Sequence, residues 1–86
     1  MYHVYIIECK DGKFYTGLTE NVERRLKEHQ RKGSHFTSYN PAVKLLHQES
    51  FDDKNIAVKR EQQIKGWTRK KKMALAEGNL KLLKIL

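Results

Sequence analysis

Two tyrosines, an arginine and a histidine fall within one short stretch, HVYIIECKDGKFYTGLTENVERRLKEH (His3 to His29), and a carboxylate follows at Glu61 in KREQQIK. Phenols, a guanidinium, an imidazole and a carboxylate can bind anions, move protons or hold a metal ion. Arg25 and His29 stand four residues apart, so on a helix they reach one target together. At about 100° per residue, Leu26 falls roughly 40° to one side of Val22, with His29 roughly 20° and Arg25 roughly 60° to the other. Arg25 and His29 therefore flank the stripe that faces the core, while Arg24, Lys27 and Glu28 point elsewhere. A guanidinium at a core edge wants an anion, and two readings stay open: a structural carboxylate, or a phosphate matched to its fork.

Glu61 poses the same kind of choice. Ala57, Ile64 and Trp67 define one apolar side of a later helix, and Glu61 lies four residues after Ala57 and three before Ile64. It points at the core, where a lone carboxylate is costly. It needs a cation: Arg60 on the flank of the same stripe, or a Mg²⁺ ion completed by waters and a phosphate oxygen.

The elements that must position these groups can be read along the chain. MYHVYIIEC and KFYTGL are rich in β-branched and aromatic residues, and the KDG between them marks a hairpin. Thr19, Glu20 and Asn21 offer caps for a helix from about Val22 to Gln30, which Gly33 stops. SHFTSYNPA reads as a loop and VKLLHQESF, 43–51, as a third strand. Asp52 and Asp53 cap a helix through about Lys65, Thr68 caps a short one over 69–77, and the apolar tail NLKLLKIL can close the core. The order β-β-α-β-α-α predicts an α+β fold, a small three-stranded antiparallel or mixed sheet flanked by helices.

Register then becomes a test. Side chains alternate along a strand, and directly paired residues share a face. A two-residue Asp11-Gly12 turn would set Tyr15 opposite Glu8, on the face away from Tyr5. A three-residue loop, Lys10-Asp11-Gly12 with Gly12 at positive φ, sets Tyr15 opposite Ile7 and on the face of Tyr5. The three-residue loop is expected if the tyrosines share a site.

Bulk composition narrows the function classes. The chain has 86 residues, which predicts a single domain over 1–86 with a small core. Lys and Arg number 18 against 10 acids, a net charge of +8 that attracts polyanions, nucleic acid first. No apolar run nears the ~20 residues of a membrane span, the basic stretches lack the apolar face of a membrane-surface helix, and no signal peptide is read at the start. The one cysteine, Cys9, excludes an intrachain disulfide, offers no zinc pattern and fits a reducing cytoplasm. It reads as a packing residue at a strand end.

Together the pieces resemble the GIY-YIG nuclease superfamily and, within it, the small single-domain bacterial proteins of the UPF0213 group. VYI (4–6) stands for the first signature tripeptide and YTG (15–17) for the second; ERRLKEH (23–29) matches the helix with an Arg and a His, and KREQQIK (59–65) the helix with a metal-binding Glu. The resemblance covers about residues 2–67. It implies that Tyr5 and Tyr15 are the signature tyrosines, Arg25 the phosphate-contacting arginine, His29 the helix histidine, Glu61 the single metal ligand, and Gly17 the glycine that lets backbone and substrate approach closely. Val4 departs from the pattern by replacing the glycine of the first tripeptide. His35 and Tyr39 both lie where a further helper residue would fall, and Asn79 is a poor match to a late asparagine.

The implied activity is phosphodiester hydrolysis in DNA; a cytoplasmic protein is expected, and the sequence does not give its oligomeric state beyond the expectation of a monomer. Glu61 would hold one Mg²⁺ or Mn²⁺ ion, Arg25 would neutralise charge on the phosphate, and Tyr15 would orient or deprotonate the water. A phenol is a poor base near neutrality unless cations lower its pKa. Tyr5 would support Tyr15 or the phosphate, and His29 would relay a proton. Lys27, Arg31, Lys32, Arg69, Lys70, Lys71 and Lys72 suit contact with the phosphate backbone, with little base readout; Trp67 reads as core. The substrate reading is branched or damaged DNA, as in DNA repair. Two rivals remain: a nucleic-acid-binding module that cleaves weakly or not at all, and a basic accessory of a repair or ribosome-associated complex.

Overall fold

The computed structural model describes residues 1–30, 42–79 and 81, and the side chains of 1–28, 44–79 and 81. Arg31, Lys32, Gly33, His35, Tyr39, the side chain of His29 and most of the apolar tail lie outside the described residues. The elements are β1 (Tyr2–Cys9), β2 (Phe14–Thr19), α1 (Val22–Gln30), β3 (Ala42–Phe51), α2 (Lys54–Lys65) and α3 (Arg69–Glu77). The sheet order is β2-β1-β3, with both pairings antiparallel. This is the α+β fold expected from the sequence.

The central strand explains its own composition. Val4 and Ile6 point to one face, where they meet Ala57, Ile64 and Leu75 from α2 and α3. Tyr5, Ile7 and Cys9 point to the other, with Tyr15, Leu26 and Leu45 packed against them. A strand covered on both faces has no solvent side, so it reads as a continuous apolar run. Val4 itself is fully buried, which accounts for a bulky residue where the family pattern has glycine. The β1–β3 pairing shifts register between Ile6 and Ile7. One extra residue sits on β3 there, a bulge that leaves Leu45 in the Tyr5 cluster and Leu46 in the other.

The hairpin is the three-residue loop. Cys9 N donates to Lys13 O and Gly12 N to Cys9 O, each at 2.8 Å, and Gly12 has φ of 87°. That φ is cheap only for glycine. In the resulting register Tyr5 pairs with Gly17 and Tyr15 with Ile7, so both tyrosines share one face.

Helix starts are fixed by side chains. Asn21 Oδ1 accepts from Arg24 N at 3.0 Å, which begins α1. Asp53 Oδ1 accepts from Asn55 N at 2.7 Å and begins α2. Thr68 Oγ1 accepts from Lys71 N at 3.3 Å and begins α3, which ends on Gly78 in the left-handed region at φ of 72°. These caps satisfy donors that the helix cannot pair internally.

Candidate active site at the edge of the sheet

Tyr5 is the centre of the site. Its side chain is 2% exposed, and its ring leans across the neighbouring edge strand. A Cβ on residue 17 would lie 2.5 Å from the Tyr5 Cζ and closer still to its hydroxyl. Glycine is required there because this tyrosine occupies the space. The resemblance gives Gly17 the task of letting backbone and substrate approach closely; in the structure the chain's own phenol occupies the space that a side chain there would take.

Tyr15 stands beside it, half-buried, with ring centroids 6.4 Å apart and planes tilted by 49°. Arg25 reaches in from α1 and hydrogen-bonds the Tyr5 phenol. The Asn21 cap sets the helix register that brings it there. Burial pushes the Tyr5 phenol above its ordinary pKa; the Arg25 hydrogen bond opposes this without overcoming it, and Tyr15 and Glu61 add to the rise. Tyr5 therefore stays protonated at neutral pH and can donate. Arg25 is held even more firmly in its charged form, by the Tyr5 hydrogen bond first and then by Glu28.

Glu28 is a site neighbour that the helical wheel missed. It was expected to point away, yet its Oε2 accepts from Arg25 Nη1 at 2.8 Å. Both side chains are long, and residues three apart on a helix meet readily. The spacing was the available signal. Of the two readings of Arg25, the structural carboxylate is present, as Glu28.

Glu61 comes from α2, in the opposite layer, and its charge is felt at the Tyr5 phenol. Tyr5 and Tyr15 lie on the face covered by Leu26 of α1, while α2 packs on β2 and β1 from the other face. The expected option of an Arg60–Glu61 ion pair is overturned. Arg60 turns to β3, where Nε and Nη2 donate to Glu49 at 2.9 and 3.1 Å. Glu49 also bonds His47 Nε2 at 2.8 Å. Among the described residues Glu61 makes no ion pair.

The donor set bears on which metal could sit here. Among the described residues no three His, Cys, Asp or Glu side chains gather to hold an ion. A closed structural zinc site does not fit. A half-buried, cation-free carboxylate does fit an ion such as Mg²⁺, which keeps several waters and takes other ligands from a bound phosphate.

The other basic residues part company. Lys27 is exposed and pairs with Glu23 at 3.6 Å. Lys70 is exposed. Arg69 stacks over Phe14 at 4.2 Å and donates to the Gly12 carbonyl. Lys71 lies over the Trp67 ring at 4.6 Å, with Arg60 at 5.2 Å. Lys72, expected to contact the phosphate backbone, is only 8% exposed.

A family model described as the GIY-YIG catalytic domain matches residues 1–74. The chain belongs to the GIY-YIG family. Within that family it resembles UPF0213 proteins. One from Haloquadratum walsbyi is 47% identical over 77 residues, spanning 88% of this chain and 86% of that protein. One from Staphylococcus saprophyticus is 42% identical, spanning 90% of this chain and 96% of that protein. The solution NMR structure of the UPF0213 protein BH0048 from Bacillus halodurans superposes with a TM-score of 0.57 at 40% identity, covering 90% of this chain and 84% of that one. GIY-YIG membership implies the nuclease superfamily, suggests nucleic acid as the substrate class, and brings a typical dependence on a divalent metal. No helix among the described residues is long and apolar enough to cross a membrane.

Proposed function

We propose that the chain is a metal-dependent DNA endonuclease of GIY-YIG type, acting by phosphodiester hydrolysis on branched or damaged DNA. The observation that carries this reading is the gathering of Tyr5, Tyr15 and Arg25 on one face of the sheet, with the Glu61 charge felt at the Tyr5 phenol, Arg60 committed to Glu49 and, among the described residues, no cation paired with Glu61. Glu61 is the metal ligand, and a bound Mg²⁺ or Mn²⁺ supplies Lewis-acid stabilisation of the phosphate and the leaving oxygen.

The chain's own groups do the rest. Arg25 binds a non-bridging oxygen and offsets its developing charge. Tyr5, kept protonated by burial, donates a hydrogen bond beside it. Tyr15 orients the attacking water, and His29, one turn beyond Arg25 on α1, relays the proton.

A second reading has one observation in its favour. Arg25 already has a carboxylate partner, Glu28, at 2.8 Å, which suits a binding module with little or no turnover.

One experiment separates them. Supercoiled, single-stranded, flap and four-way-junction DNA are incubated with Mg²⁺ or Mn²⁺ and wild type or Glu61→Ala, with folding checked by circular dichroism. Metal-dependent nicking by wild type, reduced at least ~10²-fold in a folded Glu61→Ala protein, is expected. Equal binding without cleavage by either protein sinks the nuclease reading.

A further inference from the structure

Helix α3 is charged the wrong way round. It opens with Arg69, Lys70, Lys71 and Lys72, with no acid in its first turn and no cation in its last. The helix dipole places positive charge at that same end, so each cation there is unfavourable unless an anion is present. Lys72 adds a second, independent observation. It is 8% exposed, and among the described residues its ammonium has neither a carboxylate nor a hydrogen-bond acceptor. Burial lowers its pKa, and Lys65 nearby lowers it further. Its stem is buried while the ammonium nitrogen still reaches solvent, so the charge is presented at the surface without a partner among those residues.

Lys72 faces an open cleft of about 260 Å³, lined also by Lys13, Phe14, Trp67 and Arg69. The cleft lies between the start of α3 and the β1–β2 hairpin. It is distinct from the tyrosine site, because Phe14 packs with the α2–α3 cluster and Tyr15 with the Tyr5 cluster. The two residues are adjacent on β2 and face opposite ways. A strand bent around the β2 edge meets both.

We propose that this cleft is a second phosphate subsite, which takes a non-reacting phosphate of the bound nucleic-acid strand on Lys72, Arg69 and Lys13. Phe14 and Trp67 wall it and contact the adjoining sugar or base. Aromatic walls beside cations suit single-stranded backbone, since stacking tolerates any base. This rests on the nucleic-acid reading above, but not on turnover.

Trp67 is the chain's one tryptophan, so its emission reports on the cleft. A single-stranded thymidine oligonucleotide is titrated in EDTA, where cleavage plays no part, and binding is followed in parallel by anisotropy of the labelled strand. Saturable change in Trp67 emission is expected in wild type and in Glu61→Ala. Lys72→Met should keep its fold, weaken the change about tenfold and lower the salt slope by about one contact; Lys72→Arg should restore it. Unchanged affinity in Lys72→Met, or binding with no change in emission, overturns the subsite. So does a response to pyrophosphate with none to the oligonucleotide, which would assign the cleft to a free anion. Loss of cleavage with the emission change intact would count against the nuclease reading alone.

Discussion

Tyr5 and Gly17 form one unit, because the phenol lies where any Cβ on residue 17 would go. Gly17→Ala must displace a buried, hydrogen-bonded ring, and overpacking of this kind costs about 1–3 kcal/mol. In a Tyr5→Leu background at least half of that penalty should vanish, as read by urea unfolding in a double-mutant cycle. An equal penalty in both backgrounds would mean that the ring is not what forbids a side chain there. The tyrosines, Arg25 and the glycine were legible in the sequence because each sits at a fixed spacing within one hairpin and the helix that follows. The preference for Arg25 over Arg24 followed from helical geometry. Glu28 was misplaced because a wheel gives the direction of Cβ and not the reach of a long side chain. The Tyr5 ring beside Gly17 was not foreseen for a related reason. Cross-strand pairing puts Tyr5 opposite residue 17, but which neighbour fills the gap depends on a rotamer.

At the level of elements, α2 is tied to β3 through Arg60, Glu49 and His47. Burial pushes the Glu49 carboxyl up, but hydrogen bonds from Arg60 and His47 outweigh it and hold the carboxyl below its usual range. A carboxyl lowered on folding contributes stability above its unfolded pKa, about 4.3, and loses that contribution as pH falls through the lower folded value. Wild type should therefore exceed Glu49→Gln by about 1–2 kcal/mol near neutrality, and the two should converge in acid. Chemical denaturation at several pH values checks this; a constant gap down to the acid limb would remove the ion pair from the account. This tie was not legible beforehand. Its partners are eleven positions apart along the chain and belong to different elements, so only the tertiary packing pairs them. The strands, the helix caps and the three-residue turn were legible, because Asn21, Asp53, Thr68 and Gly12 act on backbone groups within a few residues of themselves.

For the molecule as a whole, the net charge of +8 was visible at once, but its distribution was not. Lysines in one run meet different fates: Lys70 faces solvent, Lys71 lies on Trp67, and Lys72 is buried. Phe14 and Tyr15, adjacent on β2 and on opposite faces, put both candidate phosphate contacts near the hairpin. That hairpin ends in Cys9, 1% exposed, whose thiol is raised in pKa by burial first and by Asp11 and Glu8 after it. The lone thiol thus serves as an internal clock. Its side chain lies on the face covered by Tyr15, Leu26 and Leu45, so a thiol reagent reaches it only when that packing opens, and its labelling rate counts openings over the face that carries Tyr5 and Tyr15. Labelling should run at least ~10²-fold slower than for an unfolded control, and slower again once an oligonucleotide clamps the edge. Rapid labelling of the native chain would show that the packing over the tyrosine face is open much of the time.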